Sequence, residues 1–128
     1  MRFRLPVGIS LLALASAAAA ADWVEATKGH DGRIVYLDID SIRRSGDDVR
    51  VWVMHDLSKV KSERARRVKY QLAYKCADET LFTASVVSYA PNGDVLRSEQ
   101  PIETRYDYKP VVPDTIGESL MKLVCPQS

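Results

Sequence analysis

The sequence predicts an α+β domain: an antiparallel meander of about six strands, one C-terminal helix packed on it, and one disulfide. Three observations carry this. Short runs of β-branched and aromatic residues alternate with polar ones between turn signals, the pattern of an antiparallel sheet. Near the C-terminus, Ile116, Leu120, Leu123 and Val124 recur at helical spacing. The chain holds two cysteines, Cys76 and Cys125, so a single intramolecular pairing exists.

Along the chain, "DWVEAT" (22–27) reads as a first strand, "KGHDG" as a turn and "RIVYLD" (33–38) as a second strand. "IDSIRRSGDD" opens with an Asx or short helical turn at Asp40–Ser41 and ends in a Ser-Gly-Asp-Asp turn. In "VRVWVMHDL" (49–57), Val49, Val51 and Val53 share one face, while Trp52 and Met54 share the other. Two apolar faces imply a central strand covered on both sides, or one that meets a partner on one side. "VKYQLAYKC" (68–76) alternates cleanly: Val68, Tyr70, Leu72, Tyr74 and Cys76 point one way, and Lys69, Gln71, Ala73 and Lys75 the other. "TLFTASVVSY" (80–89) is a fifth strand, joined by the hairpin signal "PNGD" to "VLRSEQ" (95–100). Residues 99–113 are irregular and hold three prolines. Asp114 reads as the N-cap of a helix over "TIGESLMKLVC", with Gly117 at its third position and hence no full capping box.

The N-terminus has the three parts of a secretory signal: Arg2 and Arg4, a short apolar stretch from Val7 to Leu14, and small residues before an A-x-A site at Ala19 and Ala21. A signal peptide over 1–21 and a single domain over 22–128 are expected, with the mature start near Asp22 or Ala21. The apolar stretch is shorter than the roughly 20 residues of a membrane span. No cysteine lies near the cleavage site, so the mature protein is expected to be exported, to periplasm, medium or cell surface, without a lipid anchor. No later apolar run is long enough to span a membrane. In an oxidising compartment a bridge is the natural state of two cysteines. A metal or nucleophilic pair would need CxxC spacing or nearby histidines, which are absent. Closing a loop of about 50 residues stabilises a fold by roughly 4 kcal/mol on the chain-entropy account.

The formal charge of +1 falls to −1 once Arg2 and Arg4 are removed, which argues against general nucleic-acid binding. Electrostatic function must then come from local clustering. The densest cluster is Lys59, Lys61, Arg64, Arg66, Arg67 and Lys69, with Glu63 the one acid among them and a local charge of +5. Closely spaced cations suit sulfated glycans or acidic protein surfaces, and Arg adds bidentate contacts. The plainer reading is a solvated connection whose charges discourage strand-to-strand association.

No catalytic constellation is evident, and a non-enzymatic protein without cofactor or metal is expected. His30 sits in a Gly-rich turn. His55 adjoins Asp56, yet neighbours in a strand face opposite sides, and a hydrolase would need a pocket joining His55 to a hydroxyl or carboxylate. "DIDS" (38–41) with Asp47 and Asp48 echoes a calcium loop but lacks its twelve-residue ligand pattern. Phosphate-loop, dinucleotide, nucleophile-elbow and zinc spacings are all missing. Trp23 and Trp52 are expected to fill the core or cap a sheet face.

Almost end to end, the mature chain resembles the surface-adhesin E family of small exported bacterial domains. The landmarks are Trp23, "YLDIDSIRRSGDDVRVWV" with Asp38, Ser41, Ile42 and Trp52, then Ser62 before the strand ending at Cys76, and "VPDTIGESLMKLVC" with Pro113, Gly117 and Cys125. The resemblance implies a twisted antiparallel sheet with helical packing, a Cys76–Cys125 disulfide, an extracytoplasmic location and adhesion to host matrix proteins. The expected function is binding of a protein or acidic glycan partner. The alternative is a periplasmic structural or stress-related accessory domain whose sheet edge pairs with another chain.

Overall fold

The computed structural model describes residues 21–61, 63–100 and 107–126. The expected signal peptide, apart from Ala21, lies outside the described residues, as do Ser62 and the middle of the proline-bearing segment.

The chain forms β1 (Trp23–Lys28), β2 (Ile34–Asp38), β3 (Arg43–Ser45), β4 (Asp48–Asp56), β5 (Arg67–Lys75), β6 (Thr80–Tyr89), β7 (Val95–Glu99), β8 (Lys109–Pro110) and α1 (Ile116–Val124). The eight strands make one antiparallel sheet in the spatial order β1-β2-β4-β5-β6-β7, with β3 beside β4 and β8 beside β6. The six strands on this path match the predicted runs to within a residue or two. β3 and β8 are additions. Neither has hydrophobic alternation; β3 forms because the turn at Gly46–Asp47 returns polar chain to β4 (Gly46 φ 60°), and β8 pairs Lys109 and Pro110 with Leu81 and Thr80. The turn at Asp38–Ser41 is a short 3-10 helix over Ile39–Ser41. It is held by hydrogen bonds from the Asp22 and Asp40 amides to the Asp38 carboxylate (3.0 and 3.1 Å).

The register stacks the two-period pattern into rows. Val49, Val51 and Val53 on β4 pair with Tyr74, Leu72 and Tyr70 on β5, and Leu37 on β2 also pairs with Val53. This inner face, with Val35, forms the core that α1 covers with Leu120 and Val124. The β5–β6 ladder slips between Gln71 and Leu72, so Ala84 has no partner across the ladder and is tucked in at the bulge.

The helix differs from its predicted form in two ways. Its N-cap is Thr115, whose hydroxyl accepts the Glu118 amide at 3.3 Å, while Glu118 Oε1 accepts the Asp114 amide at 3.3 Å. The cap lies one residue later than expected, and Thr115-x-x-Glu118 has the capping-box sequence, though its Glu reaches the amide one residue before the cap. Asp114 cannot be the cap, because its φ of 60° puts it in the left-handed region rather than the extended conformation of an N-cap. Leu123, predicted on the packed face, is 55% exposed. At about 100° per residue it lies a full step before Val124, outside the seat formed by Ile116, Leu120 and Val124.

Two ties fasten α1 to the sheet. The buried Tyr74 hydroxyl donates to the Gly117 carbonyl at 2.9 Å. Cys76 and Cys125 form the disulfide, with Cα atoms 5.7 Å apart. One holds the first turn and the other the C-terminal end.

Candidate partner-binding surface

The cation-rich segment divides between two structural settings. Lys59, Lys61, Arg64 and Arg66 lie in the β4–β5 connection, and all four are exposed. That connection is built, not slack. Leu57, 4% exposed, anchors it, and its amide donates to the Arg66 carbonyl at 2.8 Å. The Val60 amide returns to Leu57, Glu63 to Val60, and the Arg66 amide reaches the Tyr89 carbonyl at 2.8 Å. Asp56 opens the turn by accepting the Ser58 amide at 2.9 Å. That bond holds its carboxyl below the usual range, against the opposing effect of burial, and nearby Arg66 and Arg67 push the same way as the bond.

Arg67 and Lys69 belong instead to β5, on the sheet face opposite α1. Arg67 lies over the Tyr89 ring at 5.9 Å, and Lys69 lies 5.2 Å from Tyr89 and 5.7 Å from Trp23. Further along the same face, Lys75 stands 4.5 Å from the Tyr108 ring, itself 5.6 Å from Phe82. These aromatic partners come from β1, β6 and the segment before β8. No spacing along one strand could reveal them; cross-strand register brings them together. The period-two reading of β5 did place Lys69 and Lys75 on this face. Trp23 caps it, as one of the two readings for the tryptophans had it.

His55 lies elsewhere, on the inner face beside a cleft of about 190 Å³ lined by Val53, Tyr70, Leu72, Leu81, Ile116 and Leu120 among others. Its ring meets Tyr70 at 4.8 Å between centroids, and Arg33 Nη1 is 3.2 Å from its Nδ1. A guanidinium has no acceptor, so Nδ1 accepts and the ring proton sits on Nε2. Burial, then the Arg33 charge, push the imidazole down to about 4. Among the described residues, no carboxylate or serine, threonine or cysteine nucleophile is recorded within hydrogen-bond distance of the ring. Arg33 is itself held by Asp31 through Nη2 and Nε (2.6 and 2.9 Å), and the bonded carboxyl is lowered to about 2. His30 is exposed in the turn.

Asp38 and Ser41 have structural roles: Asp38 Oδ1 accepts the Asp22 and Asp40 amides, and Ser41 accepts the Trp52 amide (2.8 Å) while donating to the Asp38 carbonyl (2.7 Å). No helix among the described residues is long and apolar enough to cross a membrane.

Comparison with known proteins agrees with this architecture. No match was found among curated proteins. Among solved structures, crystal form II of Haemophilus influenzae protein E is similar with a TM-score of 0.57 at 20% identity, covering 80% of this chain and 86% of that one. Protein E from non-typeable Haemophilus influenzae gives a TM-score of 0.52 at 16% identity, covering 85% and 78%. At these identities the likeness is one of fold. The profile of the family described as "Surface-adhesin protein E" matches residues 23–126, nearly the whole described chain, and the protein belongs to that family.

Proposed function

We propose that this protein is an exported, non-enzymatic adhesin-type domain, residues 22–128 after signal cleavage, that binds a protein or glycan partner through Lys59, Lys61, Arg64, Arg66, Arg67 and Lys69. One observation carries the reading. The ion pairs among the described residues use Lys28, Arg33, Arg97 and Lys122, and none takes a cation of this segment. Six cations stay available while a buried leucine and backbone bonds fix the loop that carries four of them. Family membership supports adhesion and export as the context.

The test is binding of the purified domain to immobilised matrix proteins and glycans as ionic strength rises. Replacing Arg64, Arg66 and Arg67 by Ser removes three surface charge contacts of about 0.5 kcal/mol each, or roughly tenfold in Kd. Binding should also weaken across the Debye-screening range. Unchanged binding by a folded triple variant would defeat the reading.

A second reading has its own observation. β7 is an edge strand with every residue exposed, including Val95 at 58% and Leu96 at 54%. A periplasmic accessory domain that pairs this edge with another chain would associate without regard to salt and lose association when a proline replaces Leu96.

A further inference from the structure

The cations and rings on the sheet face away from α1 have a chemistry more specific than charge. Arg67, Lys69 and Lys75 all stand on the same face of β5, and Tyr89, Trp23 and Tyr108 lie beside them at 4.5–5.9 Å. Along a strand, residues 67 to 75 extend over roughly 27 Å. The face is therefore long enough to follow a polymer rather than cradle a single sugar. α1 packs on the opposite face, and among the described residues no other helix covers this one. None of the three cations enters an ion pair among the described residues. Each is held near a ring by the ring's negative face, which limits its rotamers and leaves its charge unneutralised.

We propose that this face is the binding track for an acidic polysaccharide. Its carboxylates or sulfates meet Arg67, Lys69 and Lys75, and its sugar rings lie against Tyr89 and Tyr108. The proposal rests on the partner-binding reading above and names the chemistry of the partner. Charge complementarity selects a polyanion: the track runs directly into the exposed cations of the β4–β5 connection through Arg66 and Arg67. The alternation of cation and ring selects a polymer with both an anionic group and an apolar ring face in each repeat, which polyphosphate lacks. A single-stranded nucleic acid also has both features. The structural disulfide and export to an oxidising compartment, where acidic glycans and not nucleic acids are the usual polyanions, favour the glycan.

The test uses the mature protein and a size-defined heparin oligosaccharide, with polyphosphate and oligothymidylate of matched charge as competitors. Wild type should bind heparin with salt-sensitive affinity and prefer it to both competitors. Replacing Lys69 and Lys75 by Gln should weaken binding about fivefold, as for two lost surface charge contacts. Tyr108→Leu, which leaves every charge in place, should weaken it several-fold. Both substitutions lie on the exposed or half-exposed face, and urea midpoints confirm that the variants fold. No heparin binding by wild type overturns the proposal, as does equal or tighter binding of either competitor. Unchanged affinity in folded Tyr108→Leu overturns the stacking track. If wild type binds matrix proteins but not heparin, this proposal falls and the adhesin reading stands. If neither binds, both fall.

Discussion

Acidification should destabilise this protein through one side chain. His55 is neutral in the fold with a pKa lowered to about 4 from the ordinary 6.5, first by burial and then by the Arg33 charge. The proton it must accept goes to Nδ1, the atom that Arg33 already occupies at 3.2 Å. Protonation would break that bond and set two cations side by side. A depressed pKa means that the unfolded chain takes up the proton first as pH falls through 6.5, while the folded form does not until about 4. Stability is thus fully present above pH 6.5, declines between 6.5 and about 4, and levels off below for this group. At about 1.4 kcal/mol per unit, the loss is up to about 3 kcal/mol, an upper figure because the ring keeps some contact with solvent. The neighbouring Asp31 does not confuse the window, since its carboxyl stays ionised to about 2. The lowered Asp56 acts in the same direction but at lower pH. The assay is urea unfolding of wild type and His55→Asn across this pH range, with the ring proton signals followed by NMR. His55→Asn should start less stable, having lost the Tyr70 contact, yet show a flatter pH dependence between 6.5 and 4. A ring midpoint at or above 6.5, or identical slopes for the two proteins, would refute the argument.

Two further predictions concern the attachment of α1. Replacing Cys76 and Cys125 by Ser should cost about 4 kcal/mol, because the bridge closes a loop with a sequence separation of 49. A rise in the urea m-value should accompany it as the unfolded chain expands, and a loss under about 1 kcal/mol would show that the bridge does little in this fold. Tyr74→Phe removes the buried 2.9 Å bond to the Gly117 carbonyl and should lower stability by about 1 kcal/mol. An unmoved urea midpoint would mean that packing alone seats the first helical turn.

The periodicity that revealed β5 and the core also explains what stayed hidden. Val49, Val51 and Val53 announced their burial because a strand's faces alternate within one contiguous segment. The cap of α1 slipped by one residue because Asp and Thr are both good caps, and only the backbone conformation of Asp114 decided between them. β3 and β8 escaped notice because short pairings of polar chain carry no hydrophobic pattern. For the candidate surface, the sequence displayed the six cations as one run. It could not show that the run changes character at Arg67, where a loop becomes a strand.

By itself, then, the sequence determined the fold class, the six main strands, the C-terminal helix and the cysteines that could join. These follow from local periodicity, turn chemistry and a pairing with a single solution. Only the tertiary structure decided that Lys69 lies beside Trp23 and Tyr89, that Lys75 lies beside Tyr108, and that Arg33 reaches His55. Those neighbours are between 20 and 46 positions apart in the chain, with Lys69 and Tyr89 at the near end and Trp23 and Lys69 at the far end. Cross-strand register and the bulge at Ala84 set such distances, and both depend on the whole sheet assembling.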